Sequence, residues 1–352
     1  MTDDYPKFSS FVSAFFDRHN EFGDIAETIG DKRIFVTGGT GLFGQWVIAL
    51  AEWMHRKDLA APQLTILSRR DALPDLPFVT THFGTIDSFD YPSGAFDLLI
   101  HLAAPSARDT FNGMSDRDKL DQLYAGTSRV LDFTARQVKG RSLFASSGAV
   151  YGGFDVSQAA PVREDNRTAP LPSFNGIGLG LGKRVAEFLI MDRVRTGDVD
   201  AGIARAFSFV GPGLPTDLHY AIGNFVAQAV RGEDIQIKGD GEPVRSFMYM
   251  GDAMWWLFRI LTSGEAGRDY NVGSSKAISI VDLAKRVRHL VNQDIRVEVH
   301  GLPNSTPGNP SNHYYVPDIK KASKELGLRE LTSLEDGISA HATFLREITK
   351  QS

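Results

Sequence analysis

A short glycine-rich turn constrains the fold of this chain more than any other part of its sequence. It reads Thr37-Gly38-Gly39-Thr40-Gly41-Leu42-Phe43-Gly44. The turn follows a β-rich run, Arg33 to Thr37, and precedes an amphipathic helical segment, Gln45 to Arg56. A strand, a turn with this glycine spacing and a helix together form a dinucleotide-binding unit, in which the pyrophosphate lies at the N-terminus of the helix.

Each glycine of the spaced set has its own physical reason. Gly38 permits the tight turn, Gly41 lets a pyrophosphate approach the backbone, and Gly44 lets the helix pack closely on the strand. The helix start near Leu42 and Phe43 supplies N–H donors and a positive partial charge. We therefore predict that these five residues contact a dinucleotide cofactor.

After this unit the chain alternates between short apolar runs and helical segments. Runs typical of buried strands occupy residues 63–67, 78–83, 98–102, 142–145 and 201–206, and helical patterns occupy residues 119–136 and 183–195. This alternation predicts an α/β fold, a Rossmann-type doubly wound parallel sheet with helices on both faces. Shorter elements at 235–238, 280–291 and 319–326 predict a smaller C-terminal α/β lobe.

Three regions follow from this reading. Residues 1–30 are predicted to form an N-terminal helical extension, residues 31–210 the dinucleotide-binding Rossmann domain, and residues 211–348 mainly a substrate-binding lobe interleaved with it. The extension carries one apolar stripe at helical spacing, which consists of Phe8, Phe11, Val12, Phe15 and Phe16. This stripe is expected to pack on its own domain or on a second subunit; the alternative is a partner-binding or substrate-covering element.

Composition excludes several classes of function. The formal net charge is −5 and charges of both signs are spread along the chain, so no nucleic-acid-binding surface is expected. The chain has no cysteine, which excludes disulfides, thiolate metal sites and a thiol nucleophile. The acidic start, Met1 to Asp4, and the lack of any apolar run near ~18 residues predict no membrane association and a cytoplasmic location.

The end of the second predicted strand bears on the choice of cofactor. NAD-specific sites usually place an acidic residue there, which binds the ribose 2′-hydroxyl. This chain has Ser68 followed by Arg69 and Arg70. Guanidinium groups suit a 2′-phosphate because they form paired, charge-assisted hydrogen bonds with it. The sequence favours NADP over NAD, and two solvated surface arginines are the competing interpretation.

Several further segments, in a shared order, resemble the extended short-chain dehydrogenase/reductase family, also called NAD-dependent epimerases/dehydratases. They run from about Lys32 to Leu328. Besides the glycine turn they are His101-Leu102-Ala103-Ala104, Ser146-Ser147-Gly148-Ala149-Val150-Tyr151-Gly152, Lys183-Arg184-Val185-Ala186-Glu187, Arg205-Ala206-Phe207 with Gly211-Pro212-Gly213, Gly239 to Phe247, Tyr270 to Gly273, and Asp318 to Ala322. Each segment alone is a weak signal, but their common order is specific.

The resemblance implies a nucleoside-diphosphate sugar as substrate and hydride transfer between a sugar carbon and a nicotinamide. It also implies a homodimer formed through the two helical segments 119–136 and 183–195. By position, the resemblance makes Ser147 and Lys183 catalytic residues, and Ala103 and Ala104 cofactor contacts. Substrate contacts by the same comparison are Ser147, Ser208, Asn224 and Arg245.

The chain departs from the family at its acid/base. In the family a tyrosine four residues before the lysine removes the hydroxyl proton, and the lysine lowers its pKa. Here Leu179 stands four residues before Lys183, and no Tyr-Xaa-Xaa-Xaa-Lys occurs anywhere in the sequence. Because leucine cannot transfer a proton, the usual mechanism cannot apply unchanged.

Two more departures narrow the chemistry. The family's 4,6-dehydratases carry an acidic residue after the catalytic serine or threonine, where this chain has Gly148 and Ala149, so dehydration is disfavoured. A second arginine that often contacts the diphosphate is absent before Asp318. His313 could replace that arginine, although a solvent-exposed loop histidine is the alternative.

Several candidate residues also have purely structural interpretations. Lys183 could be a surface lysine, or it could bind the nicotinamide ribose even without the tyrosine. Ser147 could cap the turn that follows it. Tyr151 and His101 are expected to be a packing aromatic and a core histidine.

Two functions therefore remain open at the sequence level. The first is an oxidoreductase or epimerase acting on a nucleotide sugar, with an unidentified group in place of the tyrosine. The second is a non-catalytic or regulatory protein that binds a dinucleotide or a nucleotide sugar.

Overall fold

A seven-stranded parallel sheet forms the centre of the molecule. The computed structural model describes residues 4–152, 160–171, 176–218, 220–301 and 314–350. The sheet strands are β1 (Arg33–Thr37), β2 (Gln63–Ser68), β3 (Val79–Phe83), β4 (Leu98–His101), β5 (Ser142–Ser147), β6 (Ala201–Ala206) and β11 (Asp269–Val272). Their spatial order is β11-β6-β5-β4-β1-β2-β3, and every pairing is parallel. This confirms the predicted α/β, Rossmann-type doubly wound fold.

The order reverses at β1, and this reversal positions a site. Strands β2 and β3 extend the sheet to one side of β1, whereas β4, β5, β6 and β11 extend it to the other. In open α/β sheets such a switch point leaves a crevice at the carboxyl ends of the strands. The glycine turn follows β1 at this edge.

Eleven helices lie in the described residues. Those preceding or flanking the first half of the sheet are α1 (Tyr5–Phe16), α2 (Glu21–Ile29), α3 (Leu42–Arg56), α4 (Ala107–Phe111), α5 (Asp116–Gln137) and α6 (Gly178–Arg195). The later ones are α7 (Ala221–Arg231), α8 (Met250–Ser263), α9 (Ile280–Val291), α10 (Lys320–Leu326) and α11 (Leu334–Thr349). None of these helices combines the length and apolar character needed to cross a membrane.

The described residues after β6 also form three small sheets. They use β7 (Phe209–Val210), β8 (Ile235–Ile237), β9 (Val244–Arg245), β10 (Met248–Tyr249), β12 (Ile278–Ser279), β13 (Val297–Val299) and β14 (Tyr314–Tyr315). Strand β7 pairs with β10, β8 pairs with β13, and β9 lies between β12 and β14. A second apolar core forms around α7, α9 and α11. Strand β11 returns to the main sheet, so the C-terminal half of the chain contributes to both cores.

The N-terminal extension packs on its own chain. The sequence predicted one apolar stripe, but the structure has two helices, α1 and α2. Phe8 of α1 lies edge-on to Trp46 of α3, with 5.7 Å between ring centroids. The hydroxyls of Tyr5 and Ser9 donate to the Glu52 carboxylate of the same helix, at 3.0 and 2.5 Å. The extension therefore supports the helix that begins at the glycine turn.

Three of the predicted boundaries that differ from the structure lie next to the site. Helix α3 begins at Leu42 rather than Gln45, because the turn already ends at the extended Gly41 (φ −83°, ψ 178°). Strand β5 continues to Ser147, which is its last residue rather than a residue after it. Helix α6 begins at Gly178, five residues earlier than predicted.

The early start of α6 has a packing reason. Glycine lowers helix propensity, which is why the sequence pattern did not predict a helix there. A Cβ at Gly182 would lie 2.6 Å from Leu123 Cδ1, and Cβ atoms at Gly178 and Gly180 would overlap the backbone of neighbouring segments. Gly178 and Gly182 therefore let α6 approach α5 closely, and Gly180 lets it approach the segment after β5.

The packing of α3 gives a test of the turn geometry. A Cβ at Gly44 would overlap the backbone of Gly39, whereas Gly23 in α2 has nothing within 4 Å of such an atom. We expect Gly44→Ala to lower the free energy of unfolding by at least about 1–3 kcal/mol, because the backbone must shift. The matched Gly23→Ala should raise it by about 0.5–1 kcal/mol. Urea unfolding of both variants measures this; equal effects would contradict the close packing.

Candidate functional site

A cleft of about 460 Å³ lies at the carboxyl ends of the central strands. Its lining residues come from the start of α3, the segment after β4, the end of β5 with α6, the end of β6 and the small sheets. They are Leu42, Phe43, Leu102, Ala104, Pro105, Ala145, Ser146, Ser147, Leu179, Lys183, Ala206, Phe207, Ser208, Phe209, Leu214, Tyr220, Ala221, Ile222, Arg245, Phe247 and Ile280. Predicted cofactor, catalytic and substrate residues thus meet in one place.

The glycine turn leads directly into Leu42 and Phe43, which line one end of this cleft. Gly38 has φ +75°, a conformation that favours glycine, and a Cβ there would lie 2.7 Å from the Ala103 amide nitrogen. A Cβ at Gly41 would meet only the carbonyl oxygen of Gly38, at 3.3 Å. The space beside Gly41 is therefore open, and the first N–H groups of α3 face no partner within the helix. This arrangement fits a phosphate group.

A buried pair links the turn to the neighbouring strand. The Thr37 hydroxyl lies 2.8 Å from His101 Nδ1 and accepts the Ala103 N–H at 3.3 Å. Burial, with a smaller effect from the charge of Lys183, lowers the pKa of His101 to about 3. His101 is consequently neutral, in the environment expected of a core histidine.

The end of β2 presents two arginines to solvent. The Ser68 side chain is buried, and its hydroxyl donates to the Arg70 carbonyl at 2.7 Å. Arg69 and Arg70 are exposed. Arg69 lies near Asp109 of α4: burial raises the pKa of that carboxyl, but hydrogen bonds from Ser106 and the Arg69 charge outweigh it, so the pKa is lowered.

Lys183 lies inside the cleft wall, not on the surface. The residue is 5% exposed, and its Nζ donates to the Ala145 carbonyl at 2.5 Å. Burial lowers the pKa of Lys183 to about 8, although the charge of Glu187 opposes the shift. The structure thus removes the surface-lysine interpretation.

Ser147 has both a structural bond and a place in the cleft. Its Oγ accepts the Ala149 N–H at 3.2 Å, which caps the short 3₁₀ turn Gly148–Tyr151. The same side chain lines the cleft together with Leu179 and Lys183. An apolar side chain therefore shares the wall with the two polar residues that the resemblance made catalytic.

Tyr315 is a site residue that the sequence analysis missed. It lies behind the cleft lining, with its hydroxyl against Gly148, the residue after Ser147. Burial raises the pKa of Tyr315 to about 12, and the Ser147 hydrogen bond and the Arg245 charge oppose this rise. Tyr315 directly precedes Val316 and Pro317, next to the Asp318 segment that already resembled the family, so its location in the chain was the available signal.

Arg245 lies beside Tyr315 on the adjacent strand. The two residues are register partners in β9 and β14, and the Arg245 guanidinium carbon lies 5.8 Å from the centre of the Tyr315 ring. Arg245 Nη1 also donates to the Val244 carbonyl at 2.9 Å. Burial lowers the pKa of Arg245, opposed by Tyr315. The cleft therefore has a cation on its small-sheet side.

The other predicted substrate contacts divide between the cleft and the core. Ser208 lines the cleft. Asn224 does not: its amide nitrogen donates to the Leu218 carbonyl at 2.8 Å, and its buried Oδ1 has no hydrogen-bond partner among the described residues. His313 lies outside the described residues.

A buried polar network supports the floor of the site. Arg205 binds both carboxylate oxygens of Glu187, at 2.9 and 2.8 Å, and donates to the Tyr151 hydroxyl at 2.9 Å. Tyr151 in turn donates to Asn271 Oδ1 at 2.8 Å, and Ser146 donates to Glu187 at 2.6 Å. Tyr151 is fully buried, as a packing aromatic would be. The network ties together β5, β6, β11 and α6.

Comparison with known proteins gives a family. Residues 34–273 match the model of the family described as NAD dependent epimerase/dehydratase family. UDP-glucuronic acid decarboxylase 3 of Arabidopsis thaliana is 31% identical over 246 residues, which cover 69% of this chain and 68% of that protein. UDP-glucuronic acid decarboxylase 6 of the same plant is 28% identical over 315 residues, which cover 88% and 87%.

One solved structure has the same fold as this chain. The structure of MoeE5 in complex with UDP-glucuronic acid and NAD matches with a TM-score of 0.73 and 24% sequence identity. The match covers 90% of this chain and 99% of that one. At this identity the likeness establishes the fold.

The burial of Lys183 predicts a pH-dependent contribution to stability. Its folded pKa of about 8 lies below the ordinary 10.5, so between these values the unfolded chain binds more protons and stability rises with pH. We expect Lys183→Met to stabilise the protein most below pH 8, with the advantage falling by up to about 1.4 kcal/mol per pH unit above it.

Urea unfolding from neutral to alkaline pH measures this difference. Lys285→Met, in which the replaced side chain is 65% exposed, controls for the loss of a surface amine. A Lys183→Met advantage that stays constant with pH would show that the amine is not desolvated.

Proposed function

The chain belongs to the NAD dependent epimerase/dehydratase family, and we propose that it is a nucleotide-sugar enzyme of the oxidoreductase or epimerase type. It uses a nicotinamide dinucleotide and works without the family's tyrosine. The observation that carries the proposal is the single cleft, which joins the start of α3 to Ser147, Lys183 and Arg245. Hydride chemistry needs a cofactor site, a proton-transferring group and a substrate anchor within one pocket.

The cofactor site is proposed at the glycine turn. Gly38, Gly41, Leu42, Phe43 and Gly44 would hold the pyrophosphate against the start of α3, where the space beside Gly41 is open. Ala103 and Ala104 would let the dinucleotide lie close to the sheet, and Lys183 would bind the nicotinamide ribose. The bound dinucleotide would supply hydride transfer.

We propose NADP as the preferred form. The support is the exposed pair Arg69 and Arg70 beside a serine whose hydroxyl is already bonded to the backbone. The solved structure of MoeE5 contains NAD, so the preference in this chain rests on its own arginines. Paired hydrogen bonds from a guanidinium suit a phosphate.

Arg69→Ala tests this preference. Wild type should bind NADPH more tightly than NADH at moderate salt, and Arg69→Ala should remove most of the difference while it leaves NADH affinity unchanged. Arg167→Ala replaces an exposed arginine outside the cleft lining and should alter neither affinity. Equal binding of the two cofactors by wild type in calorimetry would show that Arg69 and Arg70 are only surface charges.

A nucleoside-diphosphate sugar is the proposed substrate. Its diphosphate would meet Arg245, and its sugar would lie near Ser147 and Ser208. The sequence relatives are named for UDP-glucuronic acid, which makes UDP-sugars the first compounds to test. A 4,6-dehydration remains disfavoured because Gly148 and Ala149 stand where the dehydratases carry an acidic residue, and a side chain at position 148 would overlap the Tyr315 hydroxyl.

A homodimer through α5 and α6 is part of the proposal. These two helices pack against each other. Each carries a large exposed side chain, Tyr124 at 54% and Phe188 at 61% exposure. Aromatic side chains are enriched at protein interfaces.

Leu179 provides the sharpest test of the enzymatic function, because an apolar residue in the cleft wall also suits a protein that only binds ligands. We expect wild type to transfer hydride measurably with a suitable UDP-sugar. Leu179→Tyr should exceed Leu179→Phe in this rate by about 10² or more, since both fill the cleft and only tyrosine adds a hydroxyl near the Lys183 charge.

The measurement is the absorbance of the reduced cofactor, with UDP-glucuronic acid, UDP-glucose and UDP-N-acetylglucosamine as substrates. Cofactor binding by all three proteins serves as the control for folding. If none of them transfers hydride although all bind the cofactor, the ligand-binding function replaces the enzymatic one.

A further inference from the structure

We propose that Ser147 and Tyr315 together replace the missing acid/base of this site. Ser147 is the catalytic residue that meets the reacting sugar oxygen, and Tyr315 is a positioning residue whose hydroxyl exchanges a proton with Ser147. The inference rests on the nucleotide-sugar function proposed above and identifies how that reaction proceeds without a tyrosine at position 179.

The phenol of Tyr315 lies close enough to Ser147 for proton exchange between the two side chains. Ser147 lines the cleft, and the Tyr315 hydroxyl lies against the next residue, where a Cβ at Gly148 would overlap it. A Ser147 hydrogen bond accordingly contributes to lowering the pKa of Tyr315. Pairing of β14 with β9 fixes Tyr315 beside Arg245, and Phe207 covers the tyrosine ring at 4.7 Å between centroids. The phenol is therefore held in one orientation, close to a cation that favours its ionised form.

Gly148 leaves room for the Tyr315 hydroxyl. A Cβ at Gly148 would overlap the Tyr315 oxygen and come within 2.8 Å of the Phe207 ring. The absence of a side chain at this position therefore makes the room that the phenol occupies. This glycine also belongs to the segment, Gly148 and Ala149, that lacks the acidic residue expected of the dehydratases.

Other tyrosines near the cleft are less suited to this role. The Tyr151 hydroxyl is fully buried and bonded to Asn271 and Arg205, in the network below the site. Tyr220 lines the cleft, but it is 39% exposed and only burial shifts its pKa, which is raised. Tyr315 is the tyrosine with both a bond to Ser147 and a neighbouring guanidinium.

The proton movement balances in both directions. When a reduced nicotinamide dinucleotide gives hydride to a sugar carbonyl carbon, the C=O π bond breaks and its oxygen takes the proton of Ser147. Ser147 takes the proton of Tyr315, and the phenolate beside Arg245 regains a proton from water. In oxidation of a sugar alcohol each transfer runs in reverse, so the oxidised dinucleotide receives the hydride and water receives the proton.

Tyr315→Phe tests the relay because it removes one hydroxyl and keeps the ring. We expect hydride transfer to fall by about 10²–10⁴-fold, with nucleotide-sugar affinity changed by no more than a few-fold in calorimetry. Ser147→Ala should fall comparably, and the double variant should be no slower than the slower single variant, since the residues act as a unit. Tyr314, at the neighbouring position, lines a separate groove with Val244 and Ile278, so Tyr314→Phe is the matched control and should retain the wild-type rate.

A spectroscopic measurement tests the coupling without turnover. The ¹³Cζ resonance of labelled tyrosine follows ionisation, and its loss in Tyr315→Phe assigns the signal. Because Ser147 and Arg245 lie beside the phenol, Ser147→Ala and Arg245→Met should each shift this resonance at neutral pH. A resonance unmoved by Ser147→Ala would overturn the relay.

The outcomes separate the two proposals. Wild-type activity that survives Tyr315→Phe, or that is lost in Tyr220→Phe instead, overturns the relay and leaves the nucleotide-sugar function intact. Absence of hydride transfer by wild type overturns both. Loss of transfer in Tyr315→Phe with retained substrate affinity and an altered pH–rate profile supports the relay, because a merely structural residue would not change that profile.

Discussion

The close approach of backbone segments around the glycine turn is the constraint on which the rest of the site depends. Side chains at Gly38 and Gly44 would collide with the segment after β4 and with the turn itself. Their absence lets α3 begin directly against β1, with its N-terminal donors directed at the edge where the strand order reverses. The N-terminal helix α1 then holds α3 from its other side, through Phe8 and the hydroxyls bound to Glu52.

Below the cleft, the buried charged side chains are stabilised in two different ways. Arg205 and Glu187 satisfy each other in the core and fix β6 against α6, which orients the strand ends that carry Ser146 and Ser147. Lys183 bonds to a backbone carbonyl instead, and burial lowers its pKa. A buried ion pair resists rearrangement because loss of either partner leaves an uncompensated charge. The ion-paired Glu187 carboxylate and the Lys183 amine, which bonds to a carbonyl, lie one helical turn apart on α6.

The sequence predicted the main sheet well because its signals are local. Apolar runs, the glycine turn and the helix patterns each depend on neighbouring residues, and the strands they predict pair in a parallel sheet as expected. Local propensity was misleading at Gly178, where tertiary packing overrides a weak helix former. The two-residue strands β9 and β14 are too short to show a hydrophobic period. The position of Tyr315 beside the Asp318 segment was therefore the one signal for its place near Ser147. The family resemblance selected Ser147 and Lys183, which both line the cleft. It also selected Asn224 as a substrate contact, but the Asn224 amide donates to a backbone carbonyl instead.

Calorimetric titration of NADPH and NADH into wild type and Gly41→Val tests the central claim most directly, because both proposals need a dinucleotide at the glycine turn. The valine would enter the open space beside the turn, where only the Gly38 carbonyl oxygen is near, so the fold should survive and circular dichroism can verify it. We predict saturable binding of at least one dinucleotide by wild type and none by Gly41→Val. Equal affinity of the two proteins, or no binding by either, would contradict the account.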